Sequence, residues 1–291
     1  QSGHLYLSLF LLIGGLVTFA GVWWGSGWVR WLALKQQVFD YPNERSLHQQ
    51  PIPKGGGFVL VLSLIIGAAV WVIGEGIEVT LSLVVGFIVL WITGLAEDYS
   101  RVPIKIRLPV QVLASVLVIA YGEPLQNFPL PQPLDFPLGM AQWPLSLFWL
   151  LAVTNAFNFM DGIDGLAASH LPVIGAALAL LNLGGLVEGI SILMGIAGLA
   201  FLRWNREPAQ IFMGDSGAIP LGFLLAALPF YITFTTTHTG VLVLAVLLGL
   251  FLFDTGYTLI GRMLRKERVW EAHRSHLYQR LVFTGMTHTQ V

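Results

Sequence analysis

Long apolar runs alternate along the chain with short polar stretches. A helix needs roughly 20 apolar residues to cross the hydrocarbon core of a bilayer. On that measure the pattern predicts nine spanning helices, over 5–29, 55–74, 79–96, 108–122, 143–160, 166–182, 186–203, 217–236 and 239–261. The fourth and sixth are short. The connections then fall alternately on two sides. One set is 30–54, 97–107, 161–165, 204–216 and 262–291. The other is 75–78, 123–142, 183–185 and 237–238. All 15 Lys and Arg residues lie in the first set or at its helix ends. Positive residues collect on the cytoplasmic side of membrane proteins. The first set is therefore expected in the cytoplasm and the N-terminus outside.

Composition agrees with this all-α, polytopic membrane reading. Of 291 residues, 55% are hydrophobic and 11% charged, and mean hydropathy is +0.74. Soluble domains carry about 25% charged residues. The net charge of −1 gives no reason to expect nucleic-acid binding. The absence of cysteine excludes disulfides and thiolate metal sites. Gln1-Ser-Gly-His4 has no basic n-region or cleavage site, so the first apolar run reads as a retained span. The chain reads as one domain over 1–291. The proline-rich, base-free 123–142 connection reads as an external loop, with room for a short strand or interfacial piece.

The most informative polar stretch runs Asn155-Ala-Phe-Asn158-Phe-Met-Asp161-Gly-Ile-Asp164-Gly165. Ionisable groups at membrane depth are costly and face sites rather than lipid. Residues 155, 158 and 161 would share one helix face. Glycine after each aspartate marks the end of that helix.

Four further segments meet the same predicted side. Residues 42–57 carry Arg45, His48 and Lys54 before Gly55-Gly56-Gly57, whose backbone can approach a phosphate; an ordinary basic loop fits equally well. Glu97 and Asp98 precede Arg101, Lys105 and Arg107; locally paired solvated charges are the plainer account. Arg203-Trp-Asn205 leads to Phe212-Met-Gly-Asp215-Ser-Gly217, where Asp215 would also suit a helix N-cap. Residues 262–280 contain His273-Arg274-Ser275-His276, whose histidines would share a helix face.

Together these place Asp98, Asp161, Asp164, Asp215, His273 and His276 on one membrane face beside several cations. Carboxylates suit a hard cation such as Mg²⁺, held by one or two of them plus substrate phosphates. Lys and Arg suit phosphate oxygens. Phosphoryl transfer at the lipid–cytosol boundary is the chemistry expected. A transporter relaying ions through Asp161, Asp164 and Asp254 is the alternative. The clustering of acids at one face and the lack of an inverted repeat weigh against it.

The same motifs resemble the polyprenyl-phosphate N-acetylhexosamine-1-phosphate transferases, in order along nearly the whole chain. Similar to that family are Arg45-x-x-His48-x-x-x-x-Pro53-x-Gly-Gly, the acidic pair Glu97-Asp98, and Lys105-x-Arg107-x-x-x-Gln111. Asn158-x-x-Asp161-Gly-x-Asp164-Gly and Phe212-Met-Gly-Asp215-x-Gly217 are the most specific. Asp254-Thr, then His273-Arg-Ser-His276-Leu-Tyr-Gln-Arg280, resembles the branch that initiates O-antigen-type glycans. Glu97 stands where aspartate is usual, and a His-His-His run found in the peptidoglycan branch is absent.

The resemblance implies transfer of an N-acetylamino-sugar-1-phosphate from a UDP-sugar to polyprenyl (undecaprenyl) phosphate, with release of UMP, in the inner membrane. It implies Mg²⁺, with Mn²⁺ as a substitute, held by Asp215. It places Asp98, Glu97, Asp161, Asp164 and His276 in the catalytic group. Arg45, His48, Lys54, Lys105, Arg107, Asn158, Asn205, Phe212, His273 and Arg274 would bind substrate. It also implies one or two further spans after 291, which this chain lacks; a homodimer is compatible with the reading. A phosphate monoester has a second pKa near 6, so the lipid phosphate needs little deprotonation. Asp98 is then expected to organise Lys105, Arg107 or the metal rather than act as a base.

Overall fold

The computed structural model describes residues 2–42, 47–76, 80–100, 102–131, 133–181, 185–231, 237–268 and 273–291. Among them the chain forms helices α1 (Ser2–Gln36), α2 (Gly56–Glu75), α3 (Leu81–Tyr99), α4 (Ile104–Tyr121), α5 (Gln142–Phe159), α6 (Leu166–Leu180), α7 (Gly185–Asn205), α8 (Asp215–Ala227), α9 (Thr237–Leu247), α10 (Gly249–Leu264) and α11 (Leu277–Phe283). A two-residue antiparallel ribbon joins β1 (Phe39–Asp40) to β2 (Ile52–Pro53).

Each expected span lies on helix over most of its described residues (79, 182 and 232–236 lie outside them), but among the described residues five helices are long and apolar enough to cross a membrane: α1, α2, α3, α4 and α7. A sixth arises if α9 and α10 count as one broken span. The expected ninth span is in fact two helices meeting at 79° at Leu248. α10 carries a polar stripe, Asp254, Thr255, Thr258 and Arg262, all buried, with Phe253, Tyr257 and Ile260 outward. A helix so divided cannot continue α9 straight through lipid; the bend turns its polar face onto protein.

α8 falls short for a different reason. Residues 216–227 are all buried, enclosed by α2, α3 and α5. A helix surrounded by protein need not match the lipid thickness. Its enclosure fixes Asp215, its first residue, at the centre of one end of the bundle.

Lipid tails are as apolar as leucine, so helices associate through close packing rather than hydrophobic transfer. The paired faces of α6 and α7 show the consequence: a Cβ on Gly175 would stand 2.5 Å from the Ser191 carbonyl oxygen. The 123–142 loop forms a small hairpin through an Asn127–Pro137 bridge, with the rings of Phe128 and Phe136 stacked at 5.1 Å.

Candidate active site

The end of α3 and the start of α8 form the centre. Asp98 Oδ1 accepts the Asp215 N–H (2.9 Å) and Oδ2 accepts the Ser216 N–H (3.1 Å). Asp98 thus caps α8, where orphan donors and the helix dipole favour a carboxylate. It is not positioned as the organiser of Lys105 or Arg107. The contact depends on glycine. Gly214 has φ 71° and a Cβ there would lie 2.7 Å from Asp98 Oδ1; one on Gly94 would lie 2.4 Å from the Asp215 carbonyl oxygen.

Because Asp98 does the capping, the Asp215 side chain is released from it. Asn158 Nδ2 donates to Asp215 Oδ1 (2.6 Å). Arg107 Nη1 stands 3.9 Å from Asp215 Oδ2 and 3.5 Å from Glu97 Oε1. Glu97 Oε2 accepts the Val102 N–H (2.6 Å), which ties α3 to the approach of α4 and explains how this acid serves: it holds Arg107 beside Asp215. Lys105 is exposed on the first turn of α4.

Asn155, Asn158 and Asp161 do not share a face. Helix α5 ends at Phe159, so Asp161 lies beyond it. Asn155 Nδ2 donates to Gln111 Oε1 of α4 (2.9 Å), a half-buried brace one turn behind Asn158. Asp161 faces the acids instead. Burial, then the charges of Asp215 and Asp98, hold its carboxyl well above the ordinary carboxylate range.

Asp164 and Asn205 are fully engaged in structure. Asp164 Oδ2 accepts the Ala209 N–H (2.9 Å) and its Oδ1 pairs with His288 Nδ1 (3.2 Å). Asn205 Oδ1 accepts the Gly165 N–H (3.1 Å) and its Nδ2 donates to the Ile211 carbonyl (3.1 Å). These bridges lock the 160–165 and 206–214 loops together.

The glycine triplet serves packing rather than a phosphate cradle. The Gly56 N–H donates to the Phe212 carbonyl (3.0 Å), the Gly57 N–H to the Met213 carbonyl (2.9 Å), and the Phe212 N–H to the Pro53 carbonyl (3.0 Å). A Cβ on Gly57 would come 2.3 Å from the Gly217 nitrogen. His48 meets Phe212 edge-on, with ring centroids 5.0 Å apart. Asp40, which sequence reasoning missed, pairs with Lys54 Nζ (2.9 Å) and lies 3.7 Å from His48 Nε2. Arg45 lies outside the described residues.

On the far wall, Asp254 of α10 accepts the Leu277 and Tyr278 N–H groups (2.9 and 3.0 Å) and pairs with His276 Nδ1 (3.0 Å). His276 is the N-cap residue of α11 rather than a helical neighbour of His273, though their rings stack at 4.9 Å. Burial, with His276 and Arg262 nearby, lowers His273 to about 4, so it is neutral at physiological pH. Tyr278 Oη donates to the Phe159 carbonyl (2.9 Å), carrying α11 onto the loop that bears Asp161. Arg274 is exposed and lies over the Phe283 ring. Asp254, a relay acid only in the transporter alternative, is thus the anchor of α11.

Among the described residues no group of three His, Cys, Asp or Glu is arranged to hold a metal by itself. Mg²⁺ commonly takes one or two carboxylates and completes its shell with water and substrate phosphates. Asp215, with Asp161 and Asp98 close enough for their charges to act on one another, fits that donor set.

Residues 80–233 match glycosyl transferase family 4. The chain is 30% identical to a probable undecaprenyl-phosphate N-acetylglucosaminyl 1-phosphate transferase of Bacillus subtilis, over 89% of this chain and 74% of that one. It is 32% identical to a phospho-N-acetylmuramoyl-pentapeptide-transferase of Synechococcus, over 76% and 66% of the two chains. It is 26% identical to a decaprenyl-phosphate N-acetylglucosaminephosphotransferase of Mycolicibacterium smegmatis, over 96% and 77%.

Proposed function

The chain belongs to glycosyl transferase family 4, and from that premise we propose that it transfers an N-acetylamino-sugar-1-phosphate from a UDP-sugar to a polyprenyl phosphate. An oxygen of the lipid phosphate attacks the phosphorus that carries the sugar. The bond from that phosphorus to the bridging oxygen breaks, and UMP leaves with that oxygen. The product is a polyprenyl diphosphate sugar. The named activities of the relatives support this reading, as do a membrane-embedded acidic centre and a cation beside it.

One observation carries the mechanism: Asp215 sits at a helix start that another carboxylate already caps. Its side chain is therefore available to substrate, held by Asn158 and flanked by Arg107. Asp215, with Asp161, would hold Mg²⁺. Such an ion, when bound, neutralises diphosphate charge and draws electron density from the attacked phosphorus. Arg107 is poised for a phosphate oxygen, since its 3.5 and 3.9 Å contacts are loose enough to exchange. Asp98 keeps α8 in place. Asp164 and Asn205 hold the loops on which a nucleotide would rest, beside Phe212 and His48.

In this reading the basic connections face the cytoplasm, the N-terminus lies outside and the protein is multi-pass in the inner membrane. Nine helical segments then traverse or enter the bilayer, the short ones as enclosed or broken spans. The test is release of UMP from a panel of UDP-N-acetylamino sugars with undecaprenyl phosphate and Mg²⁺. Release that depends on both substrates is expected; none from any donor overturns the reading.

A further inference from the structure

The segment after α11 reaches back to the site. Thr287 and Gln290 close it into a tight turn: the Thr287 N–H donates to Gln290 Oε1 (2.9 Å) and the Gln290 N–H to Thr287 Oγ1 (3.2 Å). That turn presents two consecutive residues to two different loops. His288 Nδ1 accepts the Asp164 backbone N–H (3.2 Å) and lies 3.2 Å from Asp164 Oδ1, and the Thr289 N–H donates to Glu207 Oε2 at 2.7 Å. Neither side chain of the His288–Asp164 pair is open to solvent: they are 13% and 8% exposed. Val291 packs against the core beyond them.

Asp164 is thereby a three-way junction. One oxygen holds the 206–214 loop through Ala209 and the other holds the 284–291 turn. Its own loop carries Asp161 three residues earlier. Asn205 braces the same two loops from their buried side, so the His288 pair closes them from the opposite, partly exposed side.

We propose that His288 is a positioning residue, which through Asp164 sets the spacing of the 160–165 and 206–214 loops and so the grip on the sugar donor. This deepens the reading above and rests on it. The charged and titratable groups facing His288 are Asp164 and Glu207, both acidic, and its hydrogen bond to Asp164 raises the imidazole above its usual range.

The experiment compares the full-length protein with His288→Ala and His288→Gln. Loss of the hydrogen bonding between His288 and Asp164 corresponds to a KM change of about fivefold to tenfold. His288→Ala is expected to raise KM for the UDP-sugar by about that factor, with kcat within about twofold of wild type. Glutamine offers both an acceptor and a neutral donor, so His288→Gln should recover part of the KM. Hydrogen exchange without substrate supplies a readout independent of catalysis: the amides of 164–166 and 209–212 should exchange faster in His288→Ala. Unchanged exchange, or a kcat loss at constant KM, overturns the proposal. A wild-type protein that releases no UMP overturns the transferase reading instead, and exchange still decides the positioning.

Discussion

Asp98 separates two accounts of the acidic centre. If it serves mainly by capping α8, removing it damages the fold of the site; if it serves by organising cations or metal, it damages chemistry alone. Its two oxygens accept two backbone N–H groups at a helix start, at 2.9 and 3.1 Å. A hydrogen bond to a charged group is worth about 1.5–3 kcal/mol, and a carboxylate at a helix start adds up to about 2 kcal/mol. These contributions overlap, so Asp98→Ala should cost about 3 kcal/mol. Asp98→Asn keeps one acceptor and turns an amide toward the second donor, for a cost of about 1–2 kcal/mol. A chain of this size shifts its melting temperature by about 2–4 °C per kcal/mol. Asp98→Ala should therefore melt about 6–12 °C lower in detergent, with Asp98→Asn between it and wild type. Turnover should fall in the same order. Melting like wild type alongside lost turnover would refute the capping account.

Two other substitutions probe the same region. Asp161→Asn should abolish turnover yet raise the melting temperature of the metal-free protein. The native state favours the neutral acid, so wild type loses stability as pH climbs from the carboxylate range through the raised value, and the variant's advantage should grow with pH; equal curves would refute it. Gly57→Ala forces a methyl to within 2.3 Å of the Gly217 nitrogen and should cost about 1–3 kcal/mol or more, with lower melting temperature and weaker donor binding; wild-type behaviour would show that the loop has room.

Helix placement was legible because apolar runs of near-span length separate at polar, glycine-rich connections. The break at Leu248 was also written in the residues: Asp254, Thr255, Thr258 and Arg262 fall on one face, while 240–248 is uniformly apolar. Counting apolar length alone merged them. At the site, the acids and Asn158 were legible as a group, and Asp98, Asp161, Asp215 and Asn158 do converge. Their division of labour was not. Asp98 caps a helix that begins 117 residues later, and Asn205 bridges to Gly165 across 40 residues; no local spacing encodes either. The glycine triplet reads alike for a phosphate or for another loop until Phe212 and Met213 are seen against it. Asp40 and His288 carry no motif, and only their partners reveal them.

The central claim is that Asp215 is left available at a helix start capped by Asp98, and that this carboxylate serves Mg²⁺-dependent release of UMP. The most direct measurement is UMP release by Asp215→Asn beside wild type, with undecaprenyl phosphate and a reactive UDP-sugar, with Mg²⁺ and with excess EDTA. The account predicts a loss of at least about 100-fold in the variant, an equal loss in EDTA for wild type, and little change in melting temperature, since Asp215 does not cap α8. Turnover near wild type in Asp215→Asn, or undiminished in EDTA, would contradict it.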